Sequence, residues 1–141
     1  MGSSSDRGRA GDRGATAVEF ALLLPLLLMM VFGLIDFGRA LNAQLTLTQA
    51  AREGARLAAL GAPVPAVTAR TQTAAAGLGG SVTVTVTSCP AGATQASDAV
   101  VHASYSFQFI TPVGALAGFL GGGGFGSPVA LTATGDMPCE T

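Results

Sequence analysis

The chain has no lysine and no tryptophan, one tyrosine, one histidine and two cysteines in 141 residues. Each scarcity closes off some chemistry. His102 stands alone, and no Cys-x-x-Cys pair or cluster of carboxylates accompanies it, so no metal-ligand set and no general acid/base pair is legible. Charged residues make up only 11% of the chain, against roughly 25% in an ordinary soluble domain. That argues against a soluble cytosolic enzyme. A formal net charge of −1 leaves no basic footprint, so nucleic acid is not expected as a partner. The expectation is a non-enzymatic chain with no catalytic, cofactor-binding or metal-binding residues. Glycine is plentiful, but Gly121 to Gly124 lead into no P-loop lysine, which excludes a phosphate cradle. That run reads as a surface loop, with an adhesive or subunit-contacting tip as the alternative.

The apolar residues are concentrated near the N-terminus. Phe20 to Ile35 contains no charge, and from Ala15 to Ile35 the only charge is Glu19. A helix crossing the hydrocarbon core needs about 20 apolar residues, so this stretch predicts one membrane span. The segment from Gly114 to Gly126 is apolar but too broken by glycine for a second. Arg7, Arg9 and Arg13 precede the span, whereas Arg39 alone follows it closely. The positive-inside rule then places the N-terminus in the cytoplasm and the remainder outside. Conventional signal cleavage fits poorly, because Leu41-Asn42-Ala43 puts a large residue where a small one is wanted. A myristoylation start fails at Asp6.

Beyond the span the helical period continues. Leu34, Phe37, Leu41, Leu45 and Thr48 recur at three- and four-residue steps, and Ala51, Ala55 and Ala59 extend the stripe. A helix from Ala15 to Leu60 would be about 69 Å long, with less than half in lipid. Ala50, Gly54 and Ala58 add a second small-residue ladder, suited either to another chain's backbone or to the protein's own domain. Glu53 and Arg56 are spaced to pair, and Pro25 and Gly33 mark expected bends. Gly61-Ala62-Pro63-Val64-Pro65 ends the helix, and Val67 to Gly77 is a candidate second one. From Ser81 to Thr87 valine and threonine alternate strictly, a half-buried strand. Cys89 to Ser97 reads as a loop, Val100 to Ile110 as a second strand and Val129 to Thr134 as a third. The fold class is α+β: a long N-terminal helix packed on a small antiparallel sheet. The segments after Leu60 would bury a thin core without it.

The junction before the span carries the most specific signal. In Arg13-Gly14-Ala15-Thr16-Ala17-Val18-Glu19-Phe20, a glycine is followed by four small or apolar residues, an acid and an aromatic. With Leu34-Ile35-Asp36-Phe37-Gly38-Arg39 and Gln49-Ala50-Ala51-Arg52-Glu53-Gly54-Ala55-Arg56, this resembles the TadE/TadG-like proteins of the Flp (tight-adherence) pilus system, relatives of type IV pilins. The resemblance covers roughly Arg13 to Leu60.

It implies a pseudopilin or minor pilin of a Tad-type pilus, held in the inner membrane with one span and its C-terminal domain outside the cytoplasm. It implies cleavage by a prepilin peptidase between Gly14 and Ala15. The parts would be a basic leader (1–14), a long helix (15–60) and a β-rich domain (61–141). The partners would be that peptidase, other pilin or pseudopilin subunits, the inner-membrane assembly platform and the membrane itself. Glu19 would pair with the α-amine freed on a neighbouring subunit, largely protonated at neutral pH since its pKa is about 8. Read without the family, Glu19 sits in a first helical turn where the dipole favours an anion. An unprocessed bitopic protein whose outer domain binds a partner is the alternative. A major pilin fits less well, since such subunits are shorter and nearly all helix.

Cys89 and Cys139 remain. Outside the cytoplasm paired cysteines usually bond, and both stand at predicted strand ends. The pairing would resemble the cysteine-closed C-terminal loop of many type IV pilins. Two free thiols would look the same in sequence.

Overall fold

The computed structural model describes residues 8–94, 96–110 and 128–140, with side chains from Gly14 onward. The glycine run at Gly121–Gly124 lies outside the described residues. One helix, α1 (Gly8–Ala59), dominates the molecule, and its 52 residues make it about 78 Å long at 1.5 Å per residue. It passes through Pro25 and Gly33 without interruption. It stops at Gly61, whose positive φ of 76° lets Gly61 N–H reach the Ala58 carbonyl and Ala62 N–H reach the Leu57 carbonyl, both at 3.1 Å. This paired closure needs a left-handed residue, which glycine supplies without a Cβ penalty.

The second helix, α2 (Val64–Ala74), starts three residues before the expected position. Pro65, read in the sequence as a breaker, lies in its first turn, where the missing N–H costs nothing. A 3-10 turn (Ala76–Leu78) leads into the sheet. Strands β1 (Val82–Thr87), β2 (Asp98–Phe107) and β3 (Val129–Pro138) pair antiparallel in the order β1-β2-β3. β2 begins before Val100 and ends before Ile110, and β3 runs four residues past Thr134. In β1 the valines face inward and the threonines outward, as alternation requires.

The sheet lies against the outer half of α1, so the architecture is the expected α+β one. Leu47, Ala50 and Ala51 pack on Val82, Ala103 and Ala133, and Ala55, Ala58 and Ala59 pack on Val67, Ala99 and Val101. The core is mostly alanine, so backbones approach closely. A Cβ on Gly54 would collide with the Thr71 hydroxyl on α2, and one on Gly135 would collide with the Ala51 carbonyl on α1. The small-residue ladder therefore packs on the protein's own domain. Glu53 pairs with Arg70 on α2, Oε1 to Nη2 at 2.8 Å, in place of the expected Arg56.

Candidate functional site

Gly14, Ala15, Glu19 and Phe20 all lie within α1 and are exposed. A Cβ on Gly14 would meet nothing within 4 Å, so no packing within the described chain requires glycine there. The helix begins at Gly8 and has no acid in its first turn. Glu19 therefore stands eleven residues in, beyond the reach of that helix's dipole, which fades within the first turn. This corrects the first-turn reading of Glu19 for the uncut chain. A helix starting at Ala15 would restore that proximity.

From Val18 to Val31 every side chain of α1 is exposed except that of Met29, which is half-buried. The described helix is long and apolar enough to cross a membrane, and its most apolar stretch is wholly uncovered. Phe20, Leu23, Leu27, Met30, Leu34, Phe37, Leu41 and Leu45, spaced three and four apart, are each more than half exposed. The stripe read in the sequence from Leu34 to Ala59 therefore splits in two. Its leucine half faces away, while Ala43, Leu47, Ala50 and Ala51 face the sheet. The outward stripe from Phe20 to Leu45 is about 39 Å long, longer than a hydrocarbon core of about 30 Å.

Asp36 marks where the folded domain begins. It is 3% exposed, pairs with Arg39 at 3.2 Å and accepts the Ile110 N–H at 3.4 Å. The Arg39 guanidinium also lies 5.3 Å from the Phe107 ring centroid, and Phe107 meets Phe109 edge-on at 5.4 Å. Sequence reasoning gave Asp36 no role of its own. The available signal was its position, one residue after the uncharged run and three before Arg39.

At the opposite pole a disulfide joins Cys89 and Cys139 across a Cα–Cα distance of 6.0 Å. Cys89 follows β1 and Cys139 follows β3, so the bridge joins the two edge strands at one end of the sheet. The Glu140 N–H donates to the Ala59 carbonyl at 3.2 Å, fastening the same end to α1. His102 is exposed mid-strand, its Nδ1 2.9 Å from the Thr134 hydroxyl. Among the described residues no three of His, Cys, Asp and Glu gather as metal ligands.

The fold is a small sheet domain carried on one end of a helix that is long and apolar enough to cross a membrane. Residues 14–56 match the family model described as TadE-like protein. The match starts at Gly14 and ends on the helix before the sheet, the stretch on which the sequence resemblance rests. No curated protein and no solved structure matches the chain.

Proposed function

We propose that this chain is a pseudopilin or minor pilin of a Tad-type pilus, a non-enzymatic subunit cut by a prepilin peptidase between Gly14 and Ala15. In this reading it is anchored in the inner membrane with its sheet domain outside the cytoplasm. The observation that carries the proposal is the coincidence of two boundaries. The TadE-like match opens at Gly14, and the exposed apolar stripe of α1 opens at Phe20, less than two turns on. A Cβ on Gly14 would meet nothing within 4 Å, which fits a glycine that serves an enzyme rather than the packing. The outward stripe from Phe20 to Leu45 would be the surface for sibling pilin helices, and Glu19, next to its cytoplasmic end, would meet a neighbour's α-amine. The disulfide suits an oxidising compartment.

One observation favours the alternative, an unprocessed bitopic protein. α1 runs unbroken through the Gly14–Ala15 bond, and a helical peptide carbonyl is shielded by the following turn. Opening the leader costs little, however. Gly8, Gly11 and Gly14 each weaken a helix by about 1 kcal/mol relative to alanine.

The test is the mass and N-terminal sequence of the protein extracted from its native membrane. A start at Ala15 is expected, and Gly14→Val should keep the leader attached. A start at Met1 in the unaltered chain would sink the proposal in favour of the bitopic reading. Glu19→Ala should insert and be cleaved yet fail to support piliation; unimpaired piliation would remove the pairing role.

A further inference from the structure

We infer that the membrane-proximal end of the sheet domain is seated in the bilayer surface, through Phe109, Ile110 and Val129 together with Phe37 on α1. The inference rests on the membrane reading of α1 and goes beyond it. That reading asks only that the helix cross the membrane; this one concerns the sheet.

The geometry sets the level. β3 climbs beside α1: the Gln44 side chain donates to the Thr132 carbonyl at 2.8 Å, Gly135 lies on Ala51 and Glu140 reaches Ala59. Val129 is three residues below Thr132, about 10 Å along a strand. The same drop on a helix is about seven residues, which brings Val129 level with Phe37. On β2, Phe107 pairs with Val129, and the chain then continues to Ile110, whose N–H meets Asp36. Asp36 directly follows the last residue of the uncharged run. Both strands therefore end where the helix leaves the hydrocarbon.

The chemistry at that level suits lipid. Ile110 is 68% exposed and Val129 44%, large apolar side chains at the one pole of the domain that faces the membrane. No Asp, Glu, Lys or Arg occurs from Ala99 to Ile110 or from Val129 to Gly135, the lengths of chain that run down to this end. Arg39 is the sole basic residue at this level among the described residues, partly exposed and stacked on Phe107. A stem along an aromatic ring with its charge at headgroup depth is the arrangement an interface favours.

Because the chain contains no tryptophan, single tryptophans report depth without background. The full chain is reconstituted into phosphatidylethanolamine–phosphatidylglycerol vesicles with acyl chains brominated either near the headgroup or near the terminus. Leu27→Trp probes the span, Ile110→Trp and Val129→Trp the proposed seat, and Ala91→Trp the far pole. Ile110→Trp and Val129→Trp should emit at blue-shifted wavelengths and lose emission chiefly to shallow bromines, while Ala91→Trp loses none. If Leu27→Trp is quenched and the two seat positions are not, the seat is overturned and the span stands. Blue-shifted but unquenched emission at Ile110 and Val129 means that protein covers them, which also overturns it. If Leu27→Trp is itself unquenched, the membrane reading fails and the seat with it.

Discussion

Three glycines in equivalent-looking surroundings do different work. Gly135 is buried where β3 crosses α1, and a Cβ there would strike the Ala51 carbonyl and the Arg52 amide nitrogen, backbone atoms with no rotamer to yield. Gly135→Ala should lower stability by about 1–3 kcal/mol, the usual range for overpacking, seen as a drop in thermal midpoint in detergent micelles. Gly54→Ala meets a side chain, the Thr71 hydroxyl, and recovers up to about 1 kcal/mol of helix propensity. Its loss should be smaller. Gly14→Ala should not lower the midpoint at all, because the site is open. A midpoint drop for Gly14→Ala matching that of Gly135→Ala would contradict the assignment of Gly14 to processing. Sequence alone could not separate the three, since the difference lies in what stands opposite each residue.

At the scale of elements, the joint between α1 and the end of β2 depends on Asp36. Asp36→Ala removes the partner of Arg39 and the acceptor of the Ile110 N–H. A hydrogen bond to a charged group contributes about 1.5–3 kcal/mol, and Arg39, being 41% exposed, adds little to that. Amide hydrogen exchange should accelerate at Phe107 to Ile110 and at Val129 while leaving Val82 to Thr87 unchanged. Uniform acceleration would mean that Asp36 supports the whole domain. The period of β1 was legible because one face of that strand is buried and the other is not. Strand limits were harder. Gly135 and Asp136 resemble a strand end, yet β3 continues because glycine is what lets it lie against α1. The early start of α2 was hidden by Pro65, whose effect depends on whether it falls in a first turn. The leucine stripe was legible as a period, but not as a direction. A helix with apolar residues on two sides does not reveal from its spacing which side its own domain occupies.

For the whole molecule, the disulfide closes a separation of 50 residues that contains all of β2 and β3. Double replacement, Cys89→Ser with Cys139→Ser, should cost about 4 kcal/mol in the chain-entropy account. That is a large share for a core built from alanines, and it is measurable as a lower denaturant midpoint. An unchanged midpoint would mean that the Glu140–Ala59 contact suffices to hold that end. Gly54 and Gly135 also fix the phase of the helix against the domain. From Asp36 to Ala59 the sheet and α2 are locked to one side of α1, with no room to slide by a turn or roll about its axis. The helix and its domain therefore share a single rotational setting. If α1 spans the membrane as proposed, any turn of its buried half sweeps the outer threonine face of the sheet through the same angle, so torque applied in the lipid is read directly as a change of heading outside it.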